Sequence, residues 1–345
     1  LNQHEMQSKK LIFKKKLKSI IFHHYKNCEK YKKILKFLDY NPRQEHDLKD
    51  QPFLPVNIFK EQDLISVPNN KIYKVLNSSG TTNNKLSKIY LDRENSYNQI
   101  KALSSIMIEV LGKNRIPMLI IDSFNEIKDR FKFNAKIAAI NGFSIFGKNH
   151  TYLLKEDKTI DYELLNSFLS KYGDKPFFIF GFTFNIYESL IMKLNSKKVL
   201  VDFSKGIILH GGGWKKMENL KINSKELKKR FKDKINIKNI YNYYGLIEQT
   251  GSIFLECQNC NCFRTNKYSE IIIRDKNLNI LPPGKKGFVQ LFSLLPTSYP
   301  GHIILTEDVG EIVENNKNCQ ICKDETKFLI HGRFAQSIVR GCSDA

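Results

Sequence analysis

Acidic side chains are scarce in this 345-residue chain: 35 Asp and Glu stand against 56 Lys and Arg, a formal charge of +21. Such an imbalance invites a nucleic-acid partner. Its distribution argues against one, because the excess is nearly all lysine, scattered from Lys9 to Lys327. Long apolar runs are lacking as well. The best candidate, residues 176–184, contains glycine and falls far short of the roughly 20 residues that span a bilayer, which excludes a membrane-spanning helix. Residues 1–18 are lysine-rich without an apolar segment or a small-residue cleavage site, so no signal peptide is read there and the cytoplasm is the expected compartment. Leu1 is not Met, so the chain is either a fragment or begins at an unusual start. Internal repeats and low-complexity linkers are absent too. What remains is a globular composition, 41% hydrophobic and 12% aromatic.

The densest basic stretch is residues 7–37, within the amino-terminal region 1–50. Its apolar positions (Leu11, Leu17, Ile20, Ile21, Tyr31, Ile34, Leu35, Leu38) recur at near-helical spacing between lysines. That spacing predicts a helix or helical pair packed on the core with a solvated basic face; binding to an acidic surface, a membrane or RNA is the alternative. The seven cysteines are unevenly placed. Cys28 is alone, Cys257, Cys260 and Cys262 cluster, Cys319 and Cys322 pair, and Cys342 lies near the end. Without a signal peptide this pattern points to metal binding and reactivity rather than disulfides.

From residue 71 short apolar strands alternate with helical segments. Strands are expected at 71–76, 87–91, 116–121, 177–180, 206–209 and 237–241. Helices are expected at 94–111, closed by Gly112, and at 125–140, 185–194 and 224–234, with Ser224 as cap. This alternation predicts an α/β fold with mainly parallel sheets flanked by helices. In such sheets ligands bind beyond the carboxyl ends of the strands, where His210-Gly211-Gly212-Gly213-Trp214 and Tyr243-Tyr244-Gly245 both fall. From Ser252 onward short strands and turns predict a β-rich subdomain, about residues 252–331. The expected division is a helical region 1–50, a core 51–331, and a hinge and tail 332–345.

The loop Ser78-Ser79-Gly80-Thr81-Thr82-Asn83-Asn84-Lys85 offers hydroxyls, a permissive glycine and a lysine, a composition able to wrap a polyphosphate. Its spacing is not that of a kinase-type P-loop. Four further segments follow in order: residues 210–214, Tyr244-Gly245-Leu246-Ile247-Glu248, Thr306-Glu307-Asp308, and Gly332-Arg333 with Arg340-Gly341-Cys342. This series resembles the adenylate-forming superfamily of acyl and aryl ligases. Within it, residues 78–82, 89–93, 210–215, 243–254, 294–302, 305–308 and 340–344 most resemble the LuxE family of acyl-protein synthetases, also called long-chain-fatty-acid–luciferin-component ligases. The resemblance runs from about Phe53 to the last residue.

The resemblance implies the large-domain fold of adenylate-forming enzymes with the carboxyl-terminal small domain essentially absent, and with it that domain's catalytic lysine. It implies ATP and Mg²⁺ as cofactors and a carboxylic, fatty acid as substrate. It also implies an acyl-acceptor protein partner such as an acyl reductase. Ser78, Ser79, Gly80, Thr81, Thr82 and Lys85 would hold the β- and γ-phosphates. Gly211, Gly212 and Gly213 would leave bare backbone for adenine, and Tyr244, followed by Gly245, would stack on the base. Glu248 would hold Mg²⁺, and Asp308 and Arg333 would reach the ribose. Asn83 stands where the superfamily loop usually has glycine. Cys342 would accept the acyl group, favoured as a thiolate by Arg340 and swung by Gly341; a passive thiol is the plainer reading.

Cys257-x₂-Cys260-x-Cys262 and Cys319-x₂-Cys322 have the spacing of zinc knuckles, five thiols for the four positions of a structural Zn²⁺; buried reduced thiols are the alternative. His302 and Trp214 are candidates for the substrate site, and a satisfied loop histidine competes for the first. Phe143, Phe180, Phe182 and Phe184 suggest an apolar acyl pocket, or core. The expected activity is ATP-dependent acyl-protein synthesis. A coenzyme A ligase of the phenylacetate–CoA ligase type, or a catalytically silent scaffold, is the alternative.

Overall fold

A computed structural model describes residues 3–78, 85–125, 135–195, 198–199, 202–212, 222–314, 319–322 and 324–334. They divide into two units. One gathers residues up to 78, 85–103 and 245–334; the other gathers the segments from 104 to 244. The strands, in chain order, begin with β1 Leu54–Pro55, β2 Ile72–Asn77 and β3 Lys88–Asp92. Five more follow: β4 Ile116–Ser123, β5 Gly147–Leu154, β6 Phe177–Phe182, β7 Gly206–Gly211 and β8 Asn239–Gly245. The last six are β9 Ile253–Leu255, β10 Phe263–Arg264, β11 Ser269–Arg274, β12 Gly287–Ser293, β13 Ile303–Ile312 and β14 Lys327–Arg333.

In the second unit β5-β4-β6-β7-β8 run parallel, as the alternation of strands and helices requires. Both faces of β6 are buried, hence its unbroken apolar sequence. One face (Leu119, Ile121, Ile179, Ile208, Ile240) packs on Leu165, Phe168 and Leu169 of helix Tyr162–Tyr172 and on Leu227 and Phe231 of helix Ser224–Ile235. Each such side chain contributes about 1.5–3 kcal/mol by leaving water. The expected strands are all present: β4, β6 and β7 start where expected and run longer, while β2, β3 and β8 are shifted toward the carboxyl end. β5 was not expected, because its central residues are polar and exposed. The helix 224–235 is capped by Asn223, whose side chain accepts from Glu226 N at 2.9 Å, and not by Ser224. The segment expected as one helix at 185–194 is a short α-helix, Thr183–Ile186, running into a π-helical stretch, Tyr187–Lys193. Much of the helix expected at 125–140 lies outside the described residues, and Ala135–Ser144 is helical.

The first unit carries the antiparallel sheet β10-β14-β13-β12-β11, with β1 added parallel to β13, and the hairpin β2-β3. The lysine-rich amino end forms helices Gln3–Asn27 and Glu29–Phe37. They bury Phe13, Leu17, Ile21, Tyr31 and Leu35, while Leu11 and Leu38 are half exposed at 53% and 50%. Helix Arg93–Leu111, of which residues 93–103 belong to this unit and the rest to the second, ends at Gly112 (φ +76°), the left-handed cap expected there. Its Leu103, Ile106, Met107 and Val110 are buried, but Tyr97 and Ile100 face solvent. Among the described residues no helix is long and apolar enough to cross a membrane.

His24 and His302 stack in this unit at 4.7 Å between ring centroids. Burial, with the neighbouring His23, pushes His302 down to about 3 and burial takes His24 well below its ordinary value. Both are neutral when folded and would take up protons on unfolding below about pH 6.5. The stability they carry is therefore complete above that pH and is lost as pH falls toward 3. The melting temperature should fall on acidification from pH 6.5 to 4, and His302→Gln should make that fall shallower; an unchanged slope would contradict this account.

Candidate active site

Glu248 sits in the 3-10 turn Ile247–Gln249 of the first unit, only 5% exposed. Tyr299 Oη donates to its carbonyl at 2.9 Å, and a Cβ at Gly301 would stand 2.5 Å from that same oxygen. Gln249 Nε2 donates to Gly301 O at 2.9 Å. The turn is thus fixed from both sides by the loop 294–302. Burial raises the Glu248 carboxyl above its ordinary range, opposed by the Ser87 hydroxyl, Lys60 and Arg333. A buried carboxylate suits a hard divalent cation, whose charge would offset the desolvation.

On the sheet of this unit Asp308 and Arg333 are register partners across β13 and β14, with Arg333 Nε 3.5 Å from Asp308 Oδ1. Thr306 Oγ1 accepts from Asp308 N at 3.1 Å and donates to Val289 O at 3.0 Å, fixing the strand beside the carboxylate. Lys60 was not singled out from the sequence. Its Nζ donates to Asn57 Oδ1, and Asn57 Nδ2 donates to Glu307 Oε1, next to Asp308. A lone lysine in helix Ile58–Glu61 gives no sequence signal. Ser78 closes the base of the β2-β3 hairpin, its N and Oγ bonded to Ser87 O and N at 3.0 and 2.9 Å. Lys85 pairs with Glu61 at 2.7 Å, both exposed. Ser79, Gly80, Thr81 and Thr82 lie outside the described residues, as do Gly213, Trp214 and Cys342.

In the second unit β7 ends at Gly211, and Gly212 adopts φ +81°. A Cβ at Gly211 would stand 2.3 Å from the Tyr243 ring, so its missing side chain is used by Tyr243. Tyr244, one residue on, belongs to the opposite face of β8 and is half-buried. Tyr243 joins Phe143 (4.9 Å) and Phe180 (6.4 Å), and Phe182 adjoins Phe180 at 6.4 Å. Three of the four phenylalanines singled out from the sequence therefore gather on one face. Phe184 packs instead on the helix-covered core.

His302 is 1% exposed, with Tyr31 Oη 3.1 Å from its Nε2. It lies beneath the amino-terminal helices. The thiols of Cys257, Cys260, Cys319 and Cys322 all come within 4.8 Å of one another and could hold a metal ion. Sγ separations of 3.5 Å (257–319), 3.4 Å (260–322) and 3.2 Å (319–322) approach the ~3.8 Å edge of a tetrahedron built on Zn–S bonds of ~2.3 Å. The fifth thiol, Cys262, instead points to Cys260 O at 3.3 Å. Asn261 at φ 54° and the bond Cys257 N to Cys262 O (2.8 Å) make the tight turn of a knuckle.

The acyl-protein synthetase family LuxE matches residues 2–345. The chain belongs to the LuxE family. The long-chain-fatty-acid–luciferin-component ligase of Vibrio harveyi is 23% identical over 351 residues, covering 99% of this chain and 89% of that one. Among solved structures, 2-hydroxyisobutyryl-CoA ligase in an open conformation is similar with TM-score 0.70 at 15% identity, over 96% of this chain and 76% of that one. The same ligase in its thioesterification state gives 0.69, over 95% and 68%. The fold is therefore that of adenylate-forming ligases, and this LuxE-family chain is an ATP-dependent ligase that activates an acyl group.

Proposed function

We propose that this LuxE-family ligase couples a fatty acid to AMP and passes the acyl group through Cys342 to an acceptor protein. The observation that carries the reading is Glu248, buried and held by Tyr299, in the same unit as the Asp308–Arg333 pair. A substrate carboxylate oxygen attacks the α-phosphorus of ATP, the bond to the β-phosphate bridge breaks, and pyrophosphate leaves. Charge grows on the leaving group and must be met by fixed cations. Mg²⁺ held by Glu248 would supply that neutralisation. Lys60 adds a positive group near Glu248, and the loop 78–85 would take the β- and γ-phosphates.

Asp308 would accept the ribose hydroxyls, oriented by Arg333, and the glycine turn after β7 with Tyr244 would take the base. The Cys342 thiolate would then attack the acyl carbon, breaking its bond to AMP. Transfer to the thiol of an acceptor protein, such as an acyl reductase, would regenerate Cys342. Trp214 would line the acyl site; the surroundings of His302 suit packing better than contact with substrate.

Pyrophosphate exchange into ATP, measured across a panel of carboxylic acids, should depend on a fatty acid and fall at least ~10²-fold in Glu248→Gln. Cys342→Ser should keep the exchange and lose the labelled acyl-enzyme. Exchange with no acid would sink the adenylation, and labelled acyl-enzyme persisting in Cys342→Ser would sink the thiol. Release of acyl-CoA as the main product would move the acceptor to coenzyme A.

The four-thiol cluster we assign to structural Zn²⁺, which would tie the turn 257–262 to residues 319–322. Metal analysis of protein purified without chelators should find about one zinc per chain. Cys322→Ser should lose it and Cys262→Ser should keep it. Zinc-free native protein would contradict the assignment.

A further inference from the structure

We propose that Thr183 and His210 are positioning residues that clamp the Gly211–Gly212 peptide for nucleotide binding, an inference that rests on the adenylation reading above. β6 and β7 run in parallel register, Gly181 opposite His210 and Phe182 opposite Gly211. Just beyond β6 the chain turns into a helix at Thr183, which is 3% exposed. Its Oγ1 lies 2.9 Å from His210 Nδ1, 3.1 Å from Gly211 O and 2.9 Å from Gly212 O. Gly211 is the last residue of β7 with ladder partners, and the Gly212 carbonyl lies beyond them, where it would ordinarily turn to water. Here one buried hydroxyl takes both carbonyls.

The proton count fixes the roles. A hydroxyl has one hydrogen, and two of its three neighbours are carbonyls that can only accept. The hydrogen is shared between the glycines, so His210 Nδ1 must donate to Oγ1. His210 is thereby the Nδ1–H tautomer, and its Nε2 is a buried lone pair with no hydrogen-bond partner among the described residues. Burial, with Lys228 nearby, holds His210 down to about 3, so the imidazole stays neutral and the clamp does not respond to physiological pH.

The consequence is directional. In a planar trans peptide the N–H points opposite to the C=O. With Gly211 O held toward Thr183, the Gly212 N–H is turned to the other side, and φ +81° at Gly212, a conformation glycine adopts without strain, brings its own carbonyl back toward Thr183. Valine at 183 would keep the shape and leave two carbonyls and one imidazole N–H unanswered. Serine would keep the hydroxyl.

The test is pyrophosphate exchange, with calorimetric ATP binding, on the full chain. Thr183→Val should raise KM for ATP about tenfold with kcat and KM for the acid within about twofold, since the lost hydrogen bonds serve ground state and transition state alike. Thr183→Ser should restore KM for ATP to near the wild-type value. Imidazole ¹⁵N shifts should report the Nδ1–H tautomer of His210. An unaltered KM for ATP in Thr183→Val, equal loss in Val and Ser together with a raised KM for the acid, or an Nε2–H tautomer would each overturn the clamp. Wild-type protein with neither exchange nor ATP binding would instead overturn the adenylation reading on which it rests.

Discussion

Within the first unit, the fully buried carboxamide of Asn95 spends its hydrogen bonds on one stretch of chain. Its Nδ2 donates to Leu295 O at 3.0 Å, and its Oδ1 accepts from the N–H groups of Thr297 and Ser298, each at 3.1 Å. An amide buried this deeply would cost about 1–3 kcal/mol for each group left unpaired, so the loop has little freedom to take another path. Three contacts follow from the loop's position. Tyr299 reaches Glu248, Gly301 gives room to the Glu248 carbonyl, and His302 stacks beneath His24 of the long amino-terminal helix. The turn that carries the buried Glu248 is thus fixed by polar bonds to backbone, with the basic helices covering the far end of the same loop.

The second unit works on a different constraint, the need of a parallel sheet to bury both faces. β6 meets it with phenylalanines on one face, which gather with Phe143 and Tyr243, and with Phe177 and Ile179 on the other, under the helices. β6 is therefore buried on both faces up to its carboxyl end. Chemistry belongs at those ends, where polar backbone becomes free of the ladder, and Thr183 and His210 stand at that transition.

What was legible in the sequence was whatever period and punctuation control. The apolar runs of β4, β6 and β7 and the cap at Gly112 needed only local reading. β5 escaped because an edge strand with exposed Lys148, Asn149 and His150 has no apolar period. Asn223 rather than Ser224 caps its helix because the choice turns on backbone geometry one residue either way. Among the candidate site residues, Glu248, Asp308 and Arg333 stood out by motif. Lys60 and Asn95 did not, since the groups they act on, Glu248 for Lys60 and residues 295–298 for Asn95, lie far away in sequence, beyond any spacing rule. Spacing also showed five thiols where the turn geometry brings four together.

The candidate site carries fixed carboxylates and cations rather than a poised nucleophile among its described residues. That is the equipment for steadying charge while the substrate's own carboxylate does the attacking. Attack at the α-phosphorus moves one carboxylate oxygen into AMP, which separates this chemistry from γ-phosphoryl transfer. The decisive measurement is turnover of ¹⁸O-carboxyl-labelled fatty acid with ATP and hydroxylamine as acyl acceptor, followed by mass spectrometry of the nucleotide and phosphate products. One ¹⁸O is expected in AMP and none in orthophosphate. Label in orthophosphate with ADP as the nucleotide product would contradict adenylation.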